Sequence, residues 1–308
     1  MHGSHAHSHS HGNGHAHDHG HAHGEPSDKR YTVAIALNLA FVAVEVAGGI
    51  YANSTALLSD AAHNLSDILG LALAGGAAWL ATRPGSQQRT YGYSKAGVLA
   101  ALANALILVA VSGGILWEAI SRLFAPAPTQ GLMVMVVAAL GVVINGASAM
   151  LFIAGRKQDI NVRGAFLHML SDAAVSAAVI VAGLIIWLTH WSWVDPLVSI
   201  GVVALILWST WGLLRESLAL AMDAAPAHID VAAVRNYLAS QPGVVAVHDL
   251  HIWAMSPTEP ALTAHLVRPE GGDDAFLAAI TDGVAHKFAI QHVTLQVERA
   301  QRDDCAEC

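Results

Sequence analysis

Charge and cysteine are both scarce in this chain. Only 12% of its 308 residues are Asp, Glu, Lys or Arg, against 54% that are hydrophobic. The apolar runs are too long and too numerous for the core of a soluble domain. A water-soluble enzyme is thereby excluded, and the chain reads as an α-helical membrane protein set in a lipid bilayer. Its two cysteines, Cys305 and Cys308, are too few for a disulfide framework, and their C-x-x-C spacing suits metal or redox chemistry. No basic patch with interleaved aromatics occurs, which argues against nucleic acid as a partner. There is no H-E-x-x-H helix and no G-x-x-x-x-G-K-[ST] phosphate loop. The net charge of −8 says little about partners, because most acids lie in the N-terminal tail and the C-terminal segment.

What is present begins with histidine. Residues 1–24 carry ten of the nineteen histidines, alternating with Gly, Ala and Ser. Such a tract cannot build a packed core and reads as a disordered, metal-collecting tail without the apolar h-region of a signal peptide. Six apolar segments follow, near Tyr31–Tyr51, Thr55–Thr82, Ala96–Trp117, Leu132–Ala154, Gly164–Leu188 and Pro196–Leu214. Each is long enough to span a bilayer. Arg83, Arg89, Lys95, Arg156, Lys157 and Arg163 fall in the connections of one side, with Lys29, Arg30 and Arg215 flanking the outer segments, whereas the other side offers only Arg122. The positive-inside rule then puts both termini in the cytoplasm.

The second segment carries Leu58-Ser59-Asp60-Ala61-Ala62-His63-Asn64-Leu65-Ser66-Asp67 where hydrocarbon is expected. A carboxylate at mid-bilayer costs about 3 kcal/mol on insertion scales, so such groups face a bundle interior and mark a substrate path. On a helix His63 and Asp67 stand one above the other, with Asp60 one turn earlier. The fifth segment repeats the pattern as His168-Met169-Leu170-Ser171-Asp172. A buried His bonded to its neighbour would explain either copy taken singly. Two copies of one spacing favour two imidazoles and two carboxylates meeting as a mixed N/O set for a divalent cation of zinc type. Glu45 reads either as a third-helix contributor to the path or, by preference, as a hydrogen-bonding partner for neighbouring helices; Asn104 and Asn145 read as interhelical glue rather than ligands, and Gly48-Gly49, Gly75-Gly76 and Gly113-Gly114 as points of close helix approach.

After Leu214 the composition becomes that of a soluble domain. Asp230 is placed to cap a helix containing Val231, Val234 and Leu238; Val244–Trp253 and Ala261–Val267 read as strands around the turn-rich 256–260; Asp273–Phe288 reads as a helix and His292–Glu298 as a third strand. The order α-β-β-α-β predicts a small sheet with helices on one face. Histidines recur on all three strands. His248 and His251 would point to opposite faces of a straight strand, so only a bulge lets one face hold both. With His265 and Glu298 they suggest a second metal site.

Taken in order, Asn38-Leu39, Phe41, Glu45, Leu57-Leu58-Ser59-Asp60-Ala61-Ala62-His63-Asn64-Leu65-Ser66-Asp67, Tyr91-Gly92-Tyr93-Ser94-Lys95, His168-Met169-Leu170-Ser171-Asp172 and Val247-His248-Asp249-Leu250-His251-Ile252-Trp253 resemble the cation diffusion facilitator family, in its zinc-transporting branch. The resemblance implies a homodimer of six-transmembrane-helix bundles, each with a cytoplasmic α+β ferredoxin-like domain, exchanging cytosolic zinc for protons. It implies a zinc-selective transport site at His63, Asp67, His168 and Asp172. In the cytoplasmic domain it implies regulatory zinc at His248, His251, His265 and Glu298, with Cys305 and Cys308 resembling a terminal cysteine pair of some zinc transporters. Lys95 and Asp223 would correspond to a charge pair that steadies the dimer. Two departures stand out. The Arg83–Lys95 connection has no His or Asp for an extra loop site, and Gly155–Arg163 lacks the His-rich insertion of many eukaryotic members. Both favour a prokaryotic-type, multi-pass protein of the cytoplasmic membrane.

The chain is thus expected to divide into a tail (1–28), a membrane domain (29–218), a cytoplasmic domain (219–302) and a Cys-x-x-Cys tail (303–308). Secondary active antiport of zinc, with cadmium and cobalt as further cargoes, is the expected activity, rather than catalysis. The competing expectations are a relative selective for another divalent metal, and a membrane metal sensor.

Overall fold

The computed structural model describes residues 29–153 and 160–300. The His-rich tail, the loop cations Arg156 and Lys157, and Cys305 and Cys308 lie outside the described residues.

Among the described residues, six helices are each long and apolar enough to cross a membrane. They are α1 (Lys29–Ala52), α2 (Thr55–Ala81), α3 (Ala96–Phe124), α4 (Gly131–Phe152), α5 (Ile160–Thr189) and α6 (Val194–Ala221). Two of them outrun the apolar segments that announce them, because α3 continues past Trp117 and α6 past Leu214. In α3 the extra turns carry Glu118 and Arg122, four apart and 2.8 Å from each other, a spacing that lets a helix accommodate charge. Arg122 also donates to the Asn53 carbonyl at 2.7 Å, and Asn53 donates through its side chain to Pro128 at 3.1 Å. These bonds tie the α1–α2 turn to the α3–α4 connection.

Packing pairs α4 with α5 and α3 with α6, while α2 touches α1, α3 and α6. The α4–α5 contact depends on glycine. A Cβ on Gly131 would stand 2.6 Å from both the Gly183 carbonyl oxygen and the Trp187 nitrogen. Gly48 makes a similar approach to Val137 of α4. By contrast, nothing lies within 4 Å of a Cβ built on Gly75, Gly76, Gly113 or Gly114, so close approach does not explain those pairs within one chain. Nor is Asn145 glue here: its buried amide has no hydrogen-bond partner among the described residues.

The small domain runs α7 (Val231–Ala239), β1 (Ala246–Ser256), β2 (Glu259–Val267), α8 (Asp274–Phe288) and β3 (His292–Glu298). Asp230 caps α7 by accepting from the Ala233 N–H, and Asp273 caps α8 by accepting from Phe276. The β1–β2 hairpin is tighter than the turn-rich stretch suggests, since Ser256 pairs with Glu259 across a two-residue turn. The strands order as β1-β2-β3, the first pair antiparallel and the second parallel. One face carries the core, with Val234, Leu238, Leu262, Leu266, Ile280 and Val284 buried under the two helices.

β1 has a bulge between His248 and His251. His248 pairs with His265 and His251 with Thr263, so three steps on β1 match two on β2. Asp249 sits at the bulge with φ of 52°, a left-handed conformation that Asp tolerates better than most side chains. Lys95, at the start of α3, is ion-paired with Asp223, just after α6, within one chain.

Candidate metal centre

α2 and α5 bring the two H-x-L-S-D copies face to face. The His63 Nε2 lies 3.8 Å from an Asp67 oxygen and 3.7 Å from an Asp172 oxygen. His168 Nε2 lies 3.2 Å from Asp67 and 3.7 Å from Asp172. The rings are 6.2 Å apart and close to perpendicular. Each histidine therefore faces both carboxylates, and each carboxylate faces both histidines. Most of these separations are too long for good hydrogen bonds. They lie nearer to a metal cage, in which ligand atoms about 2.0–2.1 Å from a tetrahedral zinc stand about 3.3–3.4 Å from one another; Asp67, His168 and Asp172 come close enough together to hold an ion, and His63 stands just outside that trio. Two ionised carboxylates and two neutral imidazoles leave a charge that one divalent cation cancels.

Side-chain exposure is uneven around the ring, at 2% for Asp172, 21% for His63, 28% for Asp67 and 40% for His168. Above the ring, Asn64 donates to Glu45 at 2.9 Å and Ser176 donates to Asp60 at 3.1 Å, all four side chains being buried. These bonds fasten α1 and α5 to α2 beside the site. Glu45 thus bridges α1 and α2 through Asn64.

In the small domain the bulge puts His248, His251, His265 and Glu298 on the helix-free face of the sheet, but not at one point. His248 Nε2 is 3.2 Å from Glu298, and His265 Nδ1 is 3.4 Å from the other Glu298 oxygen. This trio could hold a metal ion. His251 turns instead to Asp249 at 2.9 Å, and Asp249 in turn lies 3.5 Å from His265 Nε2. The hydrogen bond from His251, with the nearby histidines, holds the Asp249 carboxyl below the usual carboxylate range. Sequence reasoning gave Asp249 no role; the demand for a bulge was the one signal that could have found it.

A further acid, Asp195, went unnoticed among the sequence-based candidates. It is buried at the start of α6 and accepts from Ser54 and Thr55 at the start of α2. Its partners are some 140 residues away in sequence, so no local pattern discloses them.

Residues 31–220 match the cation efflux transmembrane domain, and residues 226–300 the cytoplasmic domain of cation efflux proteins. The metal cation efflux system protein CzcD of Cupriavidus metallidurans is 38% identical over 276 residues, covering 89% of this chain and 87% of that protein. The zinc transporter ZitB of Escherichia coli is 37% identical over 273 residues, covering 88% and 87%. The cadmium, cobalt and zinc/H(+)-K(+) antiporter of Bacillus subtilis is 34% identical over 272 residues, covering 86% and 87%.

Proposed function

The chain belongs to the cation efflux family, transporters of metal cations, and we propose that its cargo is zinc, carried out of the cytoplasm in exchange for protons by His63, Asp67, His168 and Asp172. The observation that supports this reading is the ring of N and O atoms with neighbours 3.2–3.8 Å apart. Asp67, His168 and Asp172 already stand close enough to hold an ion, with His63 beside them as the fourth donor, and the mixed donors discriminate against harder ions that prefer oxygen alone. The relatives named for zinc, cadmium and cobalt make the latter two the natural secondary cargoes.

Coupling follows from the donors. Zinc needs neutral imidazoles and ionised carboxylates, so loading the ring displaces protons and protonating it releases zinc. Imidazole titrates near physiological pH, which lets one set of residues hold metal and proton by turns. Alternating access then requires only that the two ends of the bundle open in succession. The cation-rich connections support a cytoplasmic location for both termini and the small domain, in a cytoplasmic membrane.

The small domain is named for dimerisation in its family, and a homodimer is the assembly proposed here. Its His248, His265 and Glu298 trio, with Asp249 and His251 alongside, is a candidate regulatory zinc site; Cys305 and Cys308 are candidate additional thiolates. The His-rich tail would raise local zinc at the cytoplasmic mouth.

Zinc uptake into proteoliposomes under an imposed pH gradient tests the proposal. Flux should follow the gradient and vanish in Asp67→Ala and His168→Ala dimers that remain folded. Proton-driven flux near wild type in either variant would overturn the site.

A further inference from the structure

α2 is closed in at one end and open at the other. From Ser54 to Ala61 every residue is buried except the half-buried Leu58, whereas in the ring itself the Asp67 and His168 side chains are 28% and 40% exposed. The closed end lies away from the small domain, because Gly97, at the start of α3, packs on Pro257 of the β1–β2 turn and α2 runs away from the α1–α2 turn toward that junction.

What closes the far end is polar. Asp195 is 1% exposed, and both of its oxygens are taken by the first residues of α2. Ser54 donates to one oxygen; the Thr55 N–H at 2.6 Å and the Thr55 hydroxyl at 2.8 Å donate to the other. One turn deeper, the Ser59 and Ser199 hydroxyls stand 2.7 Å apart, and both reach the Thr55 carbonyl, at 2.8 and 3.2 Å. Asp195 thus sits between two helix N-termini, whose unpaired N–H groups and dipoles compensate a buried negative charge without a cation.

Resting on the transporter reading, we propose that Asp195 is a positioning residue that latches α2 to α6 above the metal ring and keeps the far mouth shut while the near side is open. A seam of hydroxyls, one carboxylate and helix ends can part, because water replaces each of its hydrogen bonds at small net loss. The α4–α5 contact, with backbone against backbone at Gly131 and Gly183, has no such exchange available. Opening of the far end therefore runs along the α2–α6 seam, and α2 carries His63 and Asp67 with it.

The test uses the full chain with Cys305→Ser and Cys308→Ser, and Ser59→Cys as a near-isosteric reporter on the seam. Labelling of that cysteine by a membrane-impermeant thiol reagent is followed in spheroplasts and in inverted vesicles. Asp195→Asn keeps the shape but turns a donor toward donors. It should raise labelling from the far side by about ten- to hundredfold, the effect of one lost charge-assisted hydrogen bond on a two-state equilibrium. Labelling from the near side should not rise, and zinc affinity measured by chelator competition should stay near wild type. A purely structural cap would loosen without such sidedness. If Asp195→Asn is recovered unfolded, Thr55→Val, which removes only the hydroxyl, should shift labelling in the same direction by less. Unchanged far-side labelling in whichever variant folds overturns the latch. Wild-type protein that moves no zinc would instead overturn the transport reading, so the two failures are distinct.

Discussion

Replacing Asp172 by Asn changes almost nothing but charge. The amide fits the space of the carboxylate and still offers one oxygen, yet the loaded ring goes from neutral to carrying one net positive charge. Asp172 is the most enclosed member of the ring at 2% side-chain exposure, so water cannot screen that charge. Removing one partner of a buried charge pair costs about 3–5 kcal/mol, which corresponds to a zinc affinity lower by about two to three and a half orders of magnitude. Asp67, at 28% exposure, has water nearby, and Asp67→Asn should lose about tenfold to a hundredfold. Competition against a chelating indicator in detergent measures both affinities, and pH-driven uptake in proteoliposomes measures the consequence. Flux should fall in the same order. A folded Asp172→Asn protein with zinc affinity within a few-fold of wild type would refute the reasoning, because the ring would then not be where the metal sits.

Three other outcomes are expected. Replacing His63 by Asp hardens the donor set, so competition assays should show cadmium and cobalt changing relative to zinc, with manganese gaining modestly; an unchanged preference would place selectivity elsewhere. Gly131→Ala puts a methyl group 2.6 Å from two backbone atoms of α5 that cannot yield, and the overpacking should cost about 1–3 kcal/mol, read as a lower melting temperature in detergent with zinc affinity little changed. Zinc should raise the melting temperature of the small domain and tighten its self-association, and His248→Ala or Glu298→Gln should blunt both effects in calorimetry and sedimentation, whereas His251→Ala, which removes a residue outside the trio, should blunt them less.

That the two H-x-L-S-D copies face each other was legible because they share one spacing, and a spacing of four on a helix fixes a face before any tertiary structure is known. The helices themselves were legible to within a turn or two. The misjudged ends of α3 and α6 share a cause: an apolar run stops at Glu118 and at Arg215, but a helix need not stop where its charges find partners or lie beyond the hydrocarbon. Asp195 was illegible for the opposite reason. A lone acid at a helix start resembles ordinary capping, and only the fold brings Ser54 and Thr55 to it. In the small domain the histidines and Glu298 do share one face, but which of them converge depended on the turn that His251 takes toward Asp249, a choice made by the backbone at one residue.

That residue also sets the parity of its strand. Before the bulge, even-numbered positions such as His248 look away from the helices; after it, odd-numbered ones such as His251 and Trp253 do, while Val247 on one side and Ile252 on the other both reach the core. The extra residue works like a frameshift that the fold reads and the alternating sequence does not. Deleting Asp249 would take out the surplus residue, and the count on β1 would then match that on β2: His248 and His251 would stand two apart, as His265 and Thr263 do, with Val247 and Ile252 still both in the core. A deletion elsewhere in the strand would instead turn one half inside out. At the bulge a lost residue therefore leaves the two faces as they are, and what goes with it is the Asp249 carboxylate beside His251 and His265.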